Sequence, residues 1–370
     1  MPNGLTIFHG YNAQGKSTLM EAIYILAIGK SFRASNESEV VNWNASNQRE
    51  GAIIDGSAET TDSTLRIIIG YNSFTKDASL FNIKQDALTP STRRHIKING
   101  VSQPISELVG QLNAVLFSAE DIDLVTGSPS VRRRYLDILI SQIDKSYLRA
   151  LGTYQHTLVQ RNRLLKLISE GRATKEELSF WNQQLIKEGT SVLSKRVSTV
   201  EILKELSRKS HQELTDGSED LSIKYISSFP IPQDTTQIGN VFNTTLEEHY
   251  QKDIATGVTG CGPQRDDVRL IVNGTDMRKY SSRGQARTIA LALRLGEASY
   301  MSKIRGEHPI LLLDDILSEL DPTRRSKVME KALSTDQSII TTTDLNYIKE
   351  ATIKKASTFH VDNGNVHQQT

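Results

Sequence analysis

A glycine-rich loop near the N-terminus has the residue types and the spacing of a phosphate-binding site. Residues 10–17 fit the pattern G-x-x-x-x-G-K-[ST] at every fixed position. Two glycines let the backbone wrap around phosphates, so that its N–H groups and the N-terminus of the following helix point at them. The lysine would neutralise the β and γ phosphates, and the serine hydroxyl would take one Mg²⁺ position. The predicted contacts to a nucleoside triphosphate are Gly10, Tyr11, Asn12, Ala13, Gln14, Gly15, Lys16, Ser17 and Thr18.

A pair of acidic residues far along the chain fits the same chemistry. The apolar run 310–313 ends in Asp314 and Asp315. P-loop proteins hold Mg²⁺ with a carboxylate at the end of a neighbouring apolar strand. We therefore predict Asp314 as a metal ligand with Ser17, and Asp315, with Lys16, as the catalytic pair, the carboxylate polarising the attacking water. The alternative is an ordinary turn at the end of a strand.

A third motif, Ser282-Arg283-Gly284-Gln285, stands at the predicted start of a helix. A free serine hydroxyl and a glycine N–H at a helix N-terminus form another anion site. Contacts from Ser282, Gly284 and Gln285 make sense if each nucleotide is held between two copies of the chain. By itself the motif is weak and is more often a plain N-cap; its order and spacing among the other motifs make it informative. Residues 318–321, Ser-Glu-Leu-Asp, could reach across the same dimer seam, or form a plain strand-to-helix turn.

The elements that position these motifs follow from apolar periodicity. A strand at 5–8, the phosphate loop and a helix at 17–28 form a strand–loop–helix unit. Residues 50–117 are rich in predicted strands, including 65–69, 115–117, and 95–98 with a hairpin at Asn99-Gly100. Further strands are expected at 221–226, 309–313 and 338–342, a closing hairpin at 358–366, and helices at 245–254 and 282–302.

The middle of the chain has helical spacing. Ser128-Pro129 is a good N-cap and N1 pair, and apolar residues recur at steps of three and four as far as residue 168. Thr174 and Glu177 then form a capping box before a second helical run, 178–206. The pattern predicts an antiparallel pair of long helices, which either buries its own apolar stripe or serves as an arm that binds a partner.

Composition limits the function classes. The chain has 370 residues, 37% hydrophobic and 24% charged, with a mean hydropathy of −0.37 and a formal net charge of +1. There is no apolar run of membrane length and no signal peptide, and the single cysteine, Cys261, fits a reducing compartment, so a cytoplasmic location is expected. A DNA-binding surface would have to be a local patch. The candidate cations are Arg132, Arg133, Arg134, Arg161, Arg163, Lys166, Lys195 and Arg196; the alternative is a solvated helix face.

The four motifs, in this order, resemble the ABC-type ATPase heads of the SMC group, and the finer sequence resembles the RecF family of bacterial recombination mediators. The resemblance covers nearly the whole chain. Its supporting segments are 21–24 (EAIY), 29–33 (GKSFR), 117–121 (FSAED), 127–129 (GSP), 132–133 (RR), 160–162 (QRN), 262–267 (GPQRDD) and 311–321 (LLLDDILSELD). The chain differs from the family at Gln264, where histidine is usual, at Ser17-Thr18, where Thr-Asn is usual, and in having only nine residues before the loop. The usual first strand is therefore expected to be missing, which affects the contacts to the adenine.

The resemblance implies an α/β fold: a P-loop ABC-type ATPase head with a mixed sheet and an inserted helical-hairpin subdomain. It divides the chain into an N-terminal part of the head (1–127), a helical arm (128–255) and a C-terminal part of the head (256–370). It implies ATP and Mg²⁺ as cofactors, and an ATP-dependent homodimer on double-stranded DNA, near junctions with single strands, with slow DNA-dependent hydrolysis for release. RecR and RecO would be partners in loading RecA. Two alternatives are an ATP-gated platform for another protein, without direct DNA contact, and a transporter ATPase subunit. The long hairpin disfavours the transporter.

Overall fold

A computed structural model describes residues 3–42, 50–59, 64–75 and 90–369. The described strands are β1 (Gly4–His9), β2 (Ala52–Glu59), β3 (Thr64–Thr75), β4 (Pro90–Ile98), β5 (Val101–Ser102), β6 (Ala114–Phe117), β7 (Leu221–Ile226), β8 (Asp267–Val272), β9 (Thr275–Asp276), β10 (Ile310–Asp314), β11 (Gln337–Thr342), β12 (Ser357–Asp362) and β13 (Asn365–Gln369). The described helices are α1 (Lys16–Ile28), α2 (Ile105–Leu108), α3 (Asp123–Thr126), α4 (Pro129–Ile143), α5 (Lys145–Ser169), α6 (Leu178–Leu214), α7 (Ile238–Glu248), α8 (Tyr250–Thr256), α9 (Met277–Tyr280), α10 (Arg283–Arg305), α11 (Pro322–Leu333) and α12 (Glu350–Ile353). Short 3₁₀ turns connect several of them.

The chain forms two compact units, one of residues 1–118 with 308–370 and the other of residues 119–307. In the first unit, the described residues form a six-stranded sheet in the order β13-β12-β1-β11-β10-β6. Its pairs are parallel except for the closing hairpin of β12 and β13. The central strands are continuous apolar runs, as expected for parallel strands that are covered on both faces. The predicted mixed sheet is confirmed.

A second sheet in this unit is antiparallel, with the order β2-β3-β4-β5 among the described residues. One face of β3, including Ile67, Ile69 and Tyr71, packs with Ile25 of α1 in a buried cluster. The predicted strand at 65–69 and the hairpin at Asn99-Gly100 are confirmed. Because side chains alternate along a strand, the other face of this sheet is turned to solvent.

The second unit contains the predicted helical hairpin, made by α5 and α6. The run predicted as one helix from 128 to 168 is wrong in one respect: it is broken at Asp144. The Asp144 side chain accepts hydrogen bonds from the backbone N–H groups of Ser146 and Tyr147, at 2.9 and 3.1 Å, so it caps α5 instead of continuing α4. The Thr174–Glu177 capping box and the strand at 221–226 are confirmed.

Two further boundaries differ from those expected from the sequence. The helix expected at 245–254 is two helices, α7 and α8, which meet at His249. The second unit continues through α10, which was assigned above to the C-terminal part of the head; α10 packs lengthwise against α6, and Gly296 permits this because a Cβ there would lie 2.4 Å from Ser207 Oγ. Among the described residues, every helix is too short or too polar to cross a bilayer.

Candidate functional site

The phosphate loop joins β1 to α1, as predicted. Gly15 has a φ of 105° and begins α1 without a side-chain cap, so the first N–H groups of the helix are open to an anion. A Cβ at Gly10 would lie only 2.3 Å from the carbonyl oxygen of Val361, so a larger residue does not fit there. Gln14 fixes the loop from the other side: its side-chain oxygen accepts from the N–H of Asn363 at 2.7 Å, and its carbonyl accepts from the N–H of Gly364 at 2.9 Å.

Lys16 lies across the loop and is 6% exposed. Its Nζ donates to the carbonyl oxygens of Gly10 and Tyr11, both at 2.8 Å. Burial lowers the pKa of Lys16, whereas the negative charges of Asp315 and Asp314 act to raise it. An ammonium group has three protons to donate. Two hold the side chain against the loop, and the predicted contact of the third with a phosphate stays a prediction.

Ser17 and Asp314 meet although 297 residues separate them in sequence. Ser17 Oγ donates to Asp314 Oδ1 at 2.9 Å, and Thr341 Oγ1 donates to the same oxygen at 2.7 Å. They meet because β10 is two strands from β1 in the parallel sheet, where carboxyl ends share one edge. A hydroxyl beside a carboxylate is the oxygen pair that P-loop proteins offer to Mg²⁺, so these residues fit the ion.

Asp315 has an unusual backbone conformation and a carboxylate in an unusual environment. Its φ of 50° is unusual for a residue other than glycine, and its N–H donates to Thr341 Oγ1 at 2.9 Å. Its Oδ1 is buried and has no hydrogen-bond partner among the described residues. Burial raises the pKa of Asp315, the charges of Asp314 and Glu319 raise it further, and Lys16 opposes them. A buried, unpaired carboxylate oxygen points to a water or ligand in the working state.

The predicted contacts Ser282, Gly284 and Gln285 lie in the second unit, at the start of α10. The expectation of a free serine is wrong in one respect, because Ser282 Oγ accepts from the N–H of Gln285 at 3.2 Å. The side-chain oxygen of Gln285 in turn accepts a hydrogen bond from the N–H of Ser282, and the two bonds together form a capping box. The Ser282 hydroxyl still has a proton to donate, and Gly284 is exposed. Whether they contact a nucleotide stays a prediction.

The segment after the Asp pair is a strand-to-helix turn. Ser318 Oγ donates to the carbonyl of Asp315 at 2.9 Å, and Asp321 caps α11 by accepting from the N–H of Arg324 at 2.9 Å. The local geometry of residues 318–321 is therefore that of a plain strand-to-helix turn. The contact of this segment with a second copy of the chain stays a prediction.

Several of the candidate DNA-binding cations support the fold of the second unit instead. Arg132 pairs with Asp267 at 2.7 Å, Arg161 with Asp253 at 2.9 Å and Arg196 with Asp137 at 2.7 Å, with 4%, 1% and 3% of these arginine side chains exposed. Buried in ion pairs, the three guanidinium groups have no access to a phosphate backbone. The remaining cations are outside this network: Arg134, Arg163 and Lys166 are exposed, Arg133 donates to the carbonyl of Asp266, and Lys195 pairs with Asp144.

The residue at the position of the family histidine, Gln264, is part of the same framework. Its amide nitrogen donates to the carbonyl of Cys261 at 2.8 Å, and its oxygen accepts from the Tyr154 hydroxyl. Gln264 thus holds the 262–267 segment against the base of the helical arm, a role that no local sequence pattern indicates.

Residues 1–367 match the family model described as the RecF/RecN/SMC N terminal domain. The DNA replication and repair protein RecF of Halothermothrix orenii is 35% identical over 368 residues, which cover 98% of this chain and 92% of that protein. The protein of the same name from Bacillus thuringiensis strain Al Hakam is 37% identical over 366 residues, with the same coverage. The chain belongs to the RecF family. A solved structure of the recombination mediator protein RecF-ATP in the RecFOR pathway is 33% identical, has a TM-score of 0.87 and covers all of this chain and 92% of that one. The predicted family and fold class, an ABC-type ATPase head with a helical hairpin, are confirmed.

Proposed function

We propose that this chain is an ATP-dependent DNA-binding protein of recombinational repair and replication restart, in which ATP closes a dimer on double-stranded DNA and slow hydrolysis releases it. The observation that carries the proposal is the contact of Ser17 with Asp314, beside the phosphate loop and the unpaired carboxylate oxygen of Asp315. This arrangement joins a phosphate cradle, a pair of metal ligands and a candidate base. RecF relatives named for DNA replication and repair, and a RecF structure named for ATP, support it.

In this proposal the loop residues Gly10 to Thr18 bind the triphosphate, and Ser17 and Asp314 hold Mg²⁺. The ion, when bound, would neutralise charge on the phosphate oxygens. Lys16 donates two hydrogen bonds to the loop carbonyls and a third to the phosphates. Asp315 accepts a proton from the attacking water, for which its raised pKa makes it a stronger base than an ordinary aspartate.

In this proposal a dimer is needed because the nucleotide-binding site combines residues from two copies of the chain. Ser282, Gly284 and Gln285 open α10 with an exposed helix N-terminus, and an anion is the ligand that such a terminus prefers. We assign them to the nucleotide that is held by the loop of a second copy. ATP binding and dimerisation are then coupled, because ATP held by the loop of one copy completes its contacts in the dimer, and removal of the γ-phosphate weakens both.

A local basic surface in the first unit supports the proposed contact with DNA. Arg93, His95 and Lys97 are exposed at alternate positions of β4, so they form a row on its solvent face. The neighbouring β3 presents Gly70 opposite His95, where an added Cβ would meet nothing within 4 Å. On β2, Asp55 is already paired with Arg66 at 2.6 Å. The two cations of this row, Arg93 and Lys97, suit the phosphate backbone of a duplex.

The partners proposed for this chain are duplex DNA, preferentially next to single-stranded gaps, and mediator proteins of the RecR and RecO type, with which it would help to load RecA. The solved structure of the recombination mediator protein RecF-ATP in the RecFOR pathway supports these partners. It is the chemistry of the loop that makes their association conditional on ATP.

Binding of a labelled duplex to the purified protein, with and without ATP, tests the proposal. We expect ATP to tighten binding and to produce dimers in analytical ultracentrifugation, and Lys16→Met to abolish both effects. Binding by Lys16→Met that equals the unmodified protein in ATP would refute the switch.

Matched charge reversals test the surface. Arg93→Glu with Lys97→Glu should weaken duplex binding and reduce its salt dependence. The control, Arg163→Glu with Lys166→Glu, makes the same change of charge on exposed residues of the arm. Loss of duplex binding only in the control would show that the DNA-binding surface lies on the helical arm instead.

A second candidate is an ATP-gated platform for another protein, with DNA held only indirectly. The burial of Arg132, Arg161 and Arg196 favours it, because it removes three cations from the arm surface. Under this candidate the purified protein dimerises with ATP yet binds no duplex by itself.

A further inference from the structure

A chain of hydrogen bonds runs from the end of the long arm helix to the start of α10. His211, the last basic residue of α6, is fully buried, and its Nε2 lies 3.0 Å from Glu219 Oε2. The other carboxylate oxygen, Glu219 Oε1, accepts from Gln285 Nε2 at 2.9 Å. Gln285 is the residue whose side-chain oxygen caps the N–H of Ser282.

The Gln285 amide has a different partner at each end, and this fixes which way it points. Its oxygen must face the Ser282 N–H and its nitrogen must face the Glu219 carboxylate. A flipped amide would set N–H against N–H and oxygen against carboxylate, so it would lose both hydrogen bonds. Glu219 therefore selects the amide orientation that completes the capping box.

The frame around this contact is closely packed. Glu219 follows the turn Asp216-Gly217, where both residues have positive φ, of 50° and 76°. Thr215 donates its N–H to the carbonyl of His211 at 3.0 Å and anchors the turn to the last turn of α6. The close approach of Gly296 to Ser207 keeps α6 and α10 in register along their length. Glu219 is thus held by the arm while its carboxylate holds the first turn of α10.

We propose that Glu219 is a positioning residue, which ties the end of the arm to the Ser282–Gln285 motif and sets that motif in the shape in which it receives a second copy's nucleotide. This inference rests on the proposed dimer. Glu219 itself contacts no phosphate; it acts through Gln285. The link also gives the arm a physical route to the motif, because a shift of α6 moves His211, Glu219 and Gln285 together.

Two substitutions at one position separate positioning from general stability. Glu219→Ala removes both acceptors, whereas Glu219→Gln keeps an oxygen for Gln285 and places its amide nitrogen beside His211 Nε2, which then accepts in the tautomer protonated at Nδ1. The matched control is Asp220→Ala, at the next residue, which breaks the exposed pair of Asp220 with Arg208 and leaves Gln285 untouched. Thermal melting of all three shows whether each one folds.

We expect Glu219→Ala to bind ATP as a monomer with unchanged affinity but to dimerise about tenfold more weakly, because the motif is no longer held in shape; this factor corresponds to ~1.4 kcal/mol. Glu219→Gln should restore dimerisation to within a few-fold, and Asp220→Ala should match the unmodified protein. Normal dimerisation by Glu219→Ala, an equal loss in Asp220→Ala, or no rescue by Glu219→Gln would each overturn the inference.

A measurement on the monomer keeps the inference separate from the proposed function. Hydrogen exchange of the Ser282 and Gln285 amides, without nucleotide, should be several-fold faster in Glu219→Ala than in Asp220→Ala. If the unmodified protein does not dimerise with ATP, the proposed function fails, and this exchange difference still decides whether Glu219 positions the motif. Equal exchange in the two variants overturns the positioning role.

Discussion

Replacing Asp315 by asparagine should stop ATP turnover while ATP binding and dimerisation continue. Asparagine has nearly the same shape and tolerates the positive φ of 50° at this position. The backbone hydrogen bond to Thr341 Oγ1 does not involve the side chain and is retained. The variant therefore keeps the local geometry and removes the negative charge of the carboxylate together with its ability to accept a proton.

The size of the effect follows from the role assigned to the carboxylate. A positioned general base contributes about 10²–10⁴-fold to a rate, which corresponds to roughly 3–5.5 kcal/mol of the activation barrier. Single-turnover hydrolysis, started by mixing preformed ATP-bound dimer with Mg²⁺ and DNA, measures the chemical step without product release. Glu319→Gln is the control, because Glu319 is the nearest acidic alternative on the same turn. A normal rate in Asp315→Asn would refute the assignment, and a loss only in the control would move the role to Glu319.

The same variant should be more stable than the unmodified protein when no nucleotide is present. The folded-state pKa of Asp315 is raised by burial and by the charges of Asp314 and Glu319. The protonated Asp315 side chain therefore contributes fully to the stability of the fold below the pKa of the unfolded state. This contribution is lost as the pH rises through the folded-state pKa. At pH 7 the ionised carboxylate costs stability, so Asp315→Asn should raise the melting temperature, and the gain should shrink as the pH falls towards about 4. A lower melting temperature at pH 7 would contradict this account of the site.

Other predictions concern the loop, the basic row and the core of the second unit. Lys16→Met should lose ATP-dependent dimerisation and duplex binding, as measured by sedimentation and fluorescence anisotropy, because the loop then lacks its charge on the phosphates. Arg93→Glu with Lys97→Glu should lower duplex affinity and flatten its salt dependence, with unchanged ATP affinity as the sign that the protein is intact. Arg161→Ala should destabilise the protein by about 3–5 kcal/mol in urea unfolding, because it leaves a buried carboxylate without its partner. Arg172→Ala, in an exposed pair, is its control and should change little.

Local sequence patterns were sufficient to predict the secondary-structure elements and the phosphate loop. The G-x-x-x-x-G-K-[ST] pattern, the apolar run at 310–313 and the capping box at Thr174 and Glu177 act over a few residues, so their physical meaning can be read without a fold. The order of the motifs along the chain also sufficed to place it among ABC-type ATPase heads. The break at Asp144 was missed because apolar spacing continues through it, whereas the cap depends on the conformation of one residue.

Which side chains contact one another depends on the tertiary structure and could not be predicted from local patterns. Ser17 touches Asp314 because only β11 lies between β10, which ends at Asp314, and β1, which leads into the phosphate loop. The order of strands in a parallel sheet is not written in any one segment. Burial decided the roles of the arginines: Arg132, Arg161 and Arg196 resemble solvated cations in the sequence, but carboxylates from distant segments enclose them. Glu219 is invisible in the sequence for the same reason, since an acidic residue in a turn gains its role only from the Gln285 amide, which the packing of α10 on α6 brings to 2.9 Å.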